Sequence, residues 1–107
     1  MALADKKCVP CQPGTPPLAE GRTRQLLAEV PDWRLEGKKI QRTIELADFG
    51  EALEFVNRVG DIAETEGHHP DIHIHWNRVV LELWTHTIGG LSENDFIVAS
   101  KIDALGD

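Results

Sequence analysis

Histidine is the residue type in this sequence best suited to chemistry, and all five histidines lie between His68 and His86. The unperturbed pKa of histidine is about 6.5, so both protonation states are accessible near neutral pH and two imidazoles can act as acid and base. Pro70 restricts the preceding His69 to an extended backbone, in which adjacent side chains point to opposite sides. His68 and His69 can therefore border one pocket from different directions. His86 ends a predicted strand that returns toward the same edge, where it can meet this pair.

Asp95 lies near the start of the predicted last helix, and its position allows two interpretations. Its carboxylate can orient or charge-stabilise an imidazole. Ser92 and Asp95 also have the spacing of a capping box, in which an acidic group stabilises a helix N-terminus without any catalytic role. From spacing alone, capping is the favoured interpretation.

His73 and His75 raise the alternative of a metal site. They lie two residues apart on a predicted strand and share a face, and His86 can add a third imidazole ligand. No acidic or thiol ligand is interleaved at a recognised spacing, so a solvated polar face without a function is a competing interpretation. The sequence contains no Gly-rich phosphate loop, nucleophile elbow or HExxH motif.

Charge, hydropathy and cysteine usage argue against several other classes. Eleven Lys and Arg against 18 Asp and Glu give a formal net charge of −7, which would repel the phosphates of nucleic acid. No apolar run reaches the roughly 18 residues that a membrane helix requires. No signal-peptide pattern begins at Met1, so a cytoplasmic location is expected. Cys8 and Cys11 are too few for a structural zinc site and lie outside a βαβ pattern, which favours an incidental or locally structural pair.

Sequence periodicity divides the chain into an arm and one domain. Residues 1–17 contain four prolines, which predicts an extended N-terminal arm, whereas residues 18–107 form a single domain. Within that domain the patterns predict three helices, over 18–30, over 47–66 and after an N-cap at Ser92. They also predict two hairpins, one over 33–45 that turns at Gly37 and one over 72–86 that turns at Asn77-Arg78. The order α-β-β-α-β-β-α predicts an α+β fold, a four-stranded antiparallel sheet with helices packed on one face.

Side-chain periodicity also predicts which residues face the core. The inner stripe of the long helix comprises Phe49, Leu53, Val56, Val59 and Ala63, widened by Phe55 and Ile62. The residues of the next strand expected to face the core are Ile72, Ile74 and Trp76. In the last strand, Val80 and Trp84 point outward, which suggests a contact with another subunit or a partner.

Several short motifs occur together in the second half of the chain. They are Gly67-His68-His69-Pro70-Asp71, Trp76-Asn77-Arg78-Val79, Leu83, Thr85-His86 and Gly89-Gly90-Leu91-Ser92-Glu93-Asn94-Asp95-Phe96. Together they resemble the pterin-4a-carbinolamine dehydratase family, and the similarity extends from about Pro31 to Ile102. The arm from Cys8 to Pro17 is similar to the N-terminal extension of bacterial-type members.

This resemblance implies a fold and a reaction. The family fold is a four-stranded antiparallel sheet with helices on one side, assembled as homo-oligomers that are dimers or tetramers. The implied reaction is dehydration of 4a-hydroxytetrahydrobiopterin, or a related pterin, to the quinonoid dihydropterin, which recycles the cofactor of aromatic amino acid hydroxylases. No metal or organic cofactor is implied. The alternative class is a protein-binding module, since some animal relatives are dimerisation partners of a homeodomain transcription factor.

The resemblance also implies the residues of the site. The expected catalytic residues are His68, His69 and His86, and the expected substrate-binding or orienting residues are Asp95, Pro70 and Glu64. Loss of water from the 4a carbon requires protonation of the leaving hydroxyl and removal of the N5 proton. We expect His68 and His86 to share these two proton transfers, in unspecified order, while His69 holds the pterin.

Overall fold

The computed structural model describes residues 3–10 and 12–105. The α-helices are α1 (Glu20–Leu27), α2 (Phe49–Glu66) and α3 (Glu93–Asp103). The strands are β1 (Arg34–Glu36), β2 (Lys39–Glu45), β3 (Asp71–His75) and β4 (Arg78–Leu83). Two short 3-10 helices cover Leu3–Asp5 and His86–Ile88. In this described part of the chain, no helix has the length and apolar character needed to cross a membrane.

One antiparallel sheet carries the core on its inner face. The strand order is β1-β2-β4-β3, and Ile40 and Ile44 of β2 lie opposite Leu83 and Val79 of β4. The helices bury these side chains with their own apolar residues, which include Leu26, Phe55, Val59, Phe96, Val98 and Ile102. Removal of this apolar surface from water is the main stabilising contribution. The predicted α+β fold and its element order are therefore confirmed.

The long helix α2 ends at the predicted glycine, but its buried stripe is displaced from the predicted one. Asp48 caps its N-terminus by accepting a hydrogen bond from the Glu51 N–H (2.8 Å). Gly67 (φ 66°) caps the C-terminus in the left-handed region, which glycine adopts without steric cost. The buried residues are Ala52, Phe55, Val59 and Ala63. The prediction that Phe49 and Leu53 face the core is wrong, because the stripe runs through Ala52 and leaves them 46% and 41% exposed.

The β3–β4 hairpin turns one residue earlier than predicted. Trp76 and Asn77 form the turn, and Arg78 already pairs with His75 in the sheet. Trp76 has a positive φ of 56°, as the first central residue of the favoured two-residue hairpin turns requires. The prediction that Trp76 faces the core is therefore wrong, and its side chain is exposed. The two isoleucines of β3 do pack against the core, as predicted.

The outer face of the sheet is more polar than the sequence pattern suggests. Val80 is half-buried and is flanked by Thr43 of β2 and His73 of β3. Trp84 follows the end of β4, where it is half-buried and packs against the core. The outward apolar surface predicted from Val80 and Trp84 is thus interrupted by polar side chains.

The N-terminal arm lies against α2 and α3. Leu3, in the first 3-10 helix, is buried in the core, and the Lys101 ammonium of α3 donates a hydrogen bond to the Ala4 carbonyl (2.9 Å). Lys6 forms an ion pair with Glu93 at the start of α3 (3.2 Å). The four prolines of the arm lie outside helices and strands. Apolar and polar contacts therefore both hold the arm on the domain.

Candidate active site

Three chain segments bring the predicted site residues together. A left-handed glycine ends α2 and turns the chain into the segment that carries His68 and His69. After β4, an antiparallel bridge between Thr85 and Gly90 closes the loop that carries His86. Helix α3 begins shortly after this loop and presents an acidic residue in its first turn. The fold thus brings residues from distant parts of the sequence together at one end of the sheet.

His68 and Asp95 form a buried pair. Their Nε2 and Oδ1 atoms are 2.6 Å apart, and the side chains are 13% and 0% exposed. The second carboxylate oxygen, Oδ2, accepts hydrogen bonds from the Thr85 hydroxyl (2.9 Å) and the Ser92 N–H (2.9 Å). Breaking such contacts leaves buried polar atoms unpaired, which is costly. The carboxylate is therefore fixed in place, and with it the imidazole of His68.

Asp95 makes the contacts that both interpretations from the sequence require. It forms a capping box with Ser92 at the start of α3, so the capping prediction is confirmed. It also contacts His68, which lies 27 positions away in the sequence. The spacing from Ser92 predicts the first role, and only the tertiary fold reveals the second.

His69 forms a second histidine–carboxylate pair, which lies on the surface. Its Nε2 is 2.8 Å from Oε2 of Glu64, and the two side chains are 59% and 79% exposed. Pro70 immediately precedes β3 and lines the same cavity as His68 and His69. Glu64 therefore reaches the site through its contact with His69.

His86 is exposed, and its imidazole packs against an indole ring. The ring centroids of His86 and Trp84 are 4.0 Å apart, with an interplanar angle of 40°. Trp84, which the sequence suggested as an outward contact, thus belongs to the wall of the site. Within residues 3–10 and 12–105, no hydrogen bond to the protein engages the His86 ring, so both of its nitrogens remain available for a ligand.

One open cavity joins these residues. It has a volume of about 300 Å³, and its lining includes His68, His69, Pro70, Trp84, Thr85 and His86. Three imidazoles around one cavity can donate and accept protons near neutral pH. The arrangement is therefore suited to acid–base chemistry on a small molecule.

His73 and His75 do not line this cavity. His73 contacts Glu82 on the outer face (3.1 Å), and a hydrogen bond from Lys39 (2.8 Å) lowers the pKa of that carboxyl to about 2. Among the residues that the structure describes, no three or more His, Cys, Asp or Glu side chains form a group that could hold a metal ion. The alternative site made of His73, His75 and His86 is therefore not formed.

The N-terminal arm is the part of the site that the sequence does not predict. Cys8, Val9 and Pro10 line a second cavity of about 430 Å³, and His68 lines both cavities. Prolines predict the absence of helices and strands, but they carry no signal for where such a segment docks. The arm therefore adds a wall beside His68.

Cys8 is a half-buried thiol within this wall. Burial, together with the nearby carboxylate of Glu66, raises the pKa of Cys8 to about 12. The thiol is therefore protonated at neutral pH and is not a nucleophile. Cys11, its predicted partner in a local pair, lies outside the described residues, so that prediction stays open.

Comparisons with known proteins point to one family. Residues 16–105 match the family model described as pterin 4 alpha carbinolamine dehydratase. A relative from Methylococcus capsulatus that bears this family name is 48% identical over 106 residues, which cover 97% of this chain and 93% of the relative. Another from Halorhodospira halophila is 47% identical, with 99% of each chain covered.

A solved structure shows the same fold at lower identity. It comes from Brucella melitensis and is described as a transcriptional coactivator/pterin dehydratase. It matches with a TM-score of 0.80 and 30% identity, covering 85% of this chain and 99% of that one. The chain belongs to the pterin-4-alpha-carbinolamine dehydratase family.

Proposed function

We propose that this chain dehydrates 4a-hydroxytetrahydrobiopterin, or a related pterin carbinolamine, to the quinonoid dihydropterin and water. Family membership supports the substrate class. The observation that carries the proposal is a cavity bordered by His68, His69 and His86, with a buried acid behind His68. The product then re-enters the recycling of the cofactor that aromatic amino acid hydroxylases use.

The reaction requires two proton transfers. The bond between C4a and the hydroxyl oxygen breaks, the proton on N5 leaves, and a double bond forms between C4a and N5. One group donates a proton to the hydroxyl, which departs as water, and another accepts the N5 proton. The protein gives up one proton and gains one, so its net protonation is unchanged. It therefore needs only one proton donor and one proton acceptor at the cavity.

We use the contact with Asp95 to assign these two roles. A carboxylate accepts hydrogen bonds, so Nε2 of neutral His68 carries the proton in this pair and Nδ1 is left as an acceptor. We therefore assign His68 as the base for the N5 proton. His86, which rests against an indole ring, is the donor to the hydroxyl, and the exposed His69 holds the pterin.

An assay coupled to an aromatic amino acid hydroxylase tests the proposal, because the hydroxylase generates the carbinolamine during the measurement. We expect the protein to accelerate carbinolamine disappearance, and His68→Ala and His86→Ala each to lower kcat by about 10²–10⁴-fold. His75→Ala is the matched control, since His75 is exposed and does not line the cavity. Unchanged turnover in both cavity variants would overturn the proposal.

We also propose that the chain works as a homo-oligomer. Phe49 and Leu53 lie about one turn apart on α2 and are both exposed, which forms an apolar surface that a second copy can cover. Leu53→Glu is expected to lower the molar mass measured by light scattering toward that of a monomer. A monomeric wild-type protein would contradict this proposal.

The hydroxylase that forms the carbinolamine is the functional partner in this proposal. A carbinolamine also loses water without a catalyst, so a dehydratase can act only on one that is formed nearby. We therefore place both proteins in the same compartment, the cytoplasm. Cell fractionation that separates the two proteins would contradict this placement.

A further inference from the structure

Two anchors hold the N-terminal arm beside His68. The Asn94 side chain accepts a hydrogen bond from the Val9 N–H (3.1 Å) and donates one to the Val9 carbonyl (2.6 Å). The Cys8 N–H donates to the Glu66 carboxylate (2.8 Å). Asn94 is buried, so its contacts with the arm are sheltered from water. Three backbone groups of two successive arm residues are thereby paired, which fixes the path of the arm at this point.

Both anchors adjoin the histidine–carboxylate pair of the proposed function. Glu66 lies two residues before His68, and Asn94 directly precedes Asp95. The arm therefore forms a wall along the catalytic pair. The cavity of about 430 Å³ between this wall and the domain is lined by Cys8, Val9, Pro10, His68, Thr85 and Thr87, among others. His68, Thr85 and Thr87 also line the cavity that is bordered by the three histidines, so the two cavities adjoin.

We propose that the arm-lined cavity receives the substituent at C6 of the pterin, so that the arm determines which pterins the site prefers. This inference rests on the proposed function. C4a and N5 must lie at the histidines for the two proton transfers, which places the fused rings in the first cavity. C6 is bonded to N5, so its substituent projects from the reacting atoms into adjoining space. At His68, that adjoining space is the arm-lined cavity.

The lining of this cavity fits a short hydroxylated chain. Val9 and Pro10 provide apolar surface on the arm side, and Thr85 and Thr87 provide hydroxyl groups on the domain side. A methyl group at C6 has no hydroxyl to pair with a threonine. A dihydroxypropyl chain can contact the apolar wall and also hydrogen-bond to a threonine hydroxyl. Contacts of this size discriminate between substrates by about 10- to 200-fold.

Two substrates that differ only at C6 test the inference, namely the carbinolamines of tetrahydrobiopterin and of 6-methyltetrahydropterin. The measured quantity is the ratio of their kcat/KM values. Val9→Trp adds bulk to the arm wall and is expected to lower the ratio by about tenfold. Gln12→Trp is the matched control, because Gln12 is exposed on the same arm and does not line the cavity. An unchanged ratio in Val9→Trp, or an equal fall in Gln12→Trp, would overturn the inference.

Asn94→Ala provides a second test, because it removes the two hydrogen bonds that hold Val9 without substituting Val9 itself. We expect faster amide hydrogen exchange at Val9 and a lower ratio. An unchanged ratio contradicts the inference, whatever the exchange rate. The affinities for 7,8-dihydrobiopterin and 6-methyl-7,8-dihydropterin, measured through the fluorescence of these ligands, give the same comparison at C6 without turnover. Failure of the dehydratase proposal and failure of the C6 subsite are therefore distinguishable.

Discussion

Two histidine–carboxylate pairs belong to the same site and differ in burial rather than in length. The His68–Asp95 contact is 2.6 Å long and buried, whereas the His69–Glu64 contact is 2.8 Å long and exposed. The buried carboxylate also accepts hydrogen bonds from a hydroxyl and a backbone amide. The exposed carboxylate is largely surrounded by solvent. The same pair of residue types is therefore rigid in one place and adjustable in the other.

Burial determines what each pair can contribute. An exposed ion pair contributes about 0–1 kcal/mol, so His69 can exchange its carboxylate partner for a substrate at little cost. The buried pair cannot separate without leaving unpaired polar atoms in the interior. We infer that the buried His68 is suited to proton transfer, which needs defined geometry, and that the exposed His69 is suited to binding.

Asp95→Asn is expected to have the largest effect, because it breaks the buried pair. The carboxamide can present its NH₂ group to Nε2 of His68, which moves the imidazole proton to Nδ1 and removes the acceptor for the N5 proton. We expect kcat in the hydroxylase-coupled assay to fall by about 10³-fold. Asp61→Asn, an exposed change on α2, is the control. A loss of less than about tenfold in Asp95→Asn would show that the buried pair does not set the tautomer.

Glu82→Gln tests a third histidine–carboxylate pair, which lies on the outer face and away from the cavity. Because the hydrogen bond from Lys39 lowers the pKa of Glu82 from 4.5 to about 2, its carboxylate stabilises the fold fully above pH 4.5 and loses this effect as the pH falls toward 2. We expect the substitution to lower the free energy of unfolding by about 1–3 kcal/mol at pH 7, with little change in kcat. Urea unfolding of both proteins at pH 7, 4 and 3 measures the free energy of unfolding.

The pH dependence separates this effect from a general loss of packing. The difference in unfolding free energy between wild type and Glu82→Gln should shrink below pH 4.5, because protonation of Glu82 removes the same negative charge as the substitution. Glu36→Gln, in an exposed pair with Arg34, is the control. A difference that stays constant from pH 7 to pH 3 would argue that charge is not its cause.

Glu64→Gln is expected to have the smallest effect, because it changes the exposed pair. We expect the free energy of unfolding to change by less than about 0.5 kcal/mol and kcat to change by less than about threefold. Urea unfolding and the hydroxylase-coupled assay measure the two quantities. A loss of kcat comparable to that of Asp95→Asn would remove the contrast between the two pairs.

Sequence patterns predict this structure well where neighbouring residues decide it. The strands follow from period-two alternation, the end of α2 follows from Gly67, and the cap of α3 follows from the spacing of Ser92 and Asp95. Each of these features depends on residues a few positions apart. Local propensity and long-range packing agree at such places, so the sequence suffices.

Features that depend on distant contacts could not be predicted in the same way. Asp95 reaches His68 across 27 positions, and the Val9 N–H reaches Asn94 across 85. The misleading position of Trp76 has a local cause instead: it continues the apolar alternation of β3, which hides the hairpin turn and its positive φ. The resemblance to a family supplied the expected site residues and an N-terminal arm, but not the place where that arm docks.

The most direct test of the central claim, that Asp95 acts through His68, is a double-mutant cycle on kcat. The variants are His68→Ala, Asp95→Asn and their combination, measured in the hydroxylase-coupled assay and checked for folding by circular dichroism. We predict that the double variant is as slow as His68→Ala alone, within about twofold, because Asp95 has no imidazole left to orient. A double variant whose loss equals the product of the two separate losses would contradict the claim.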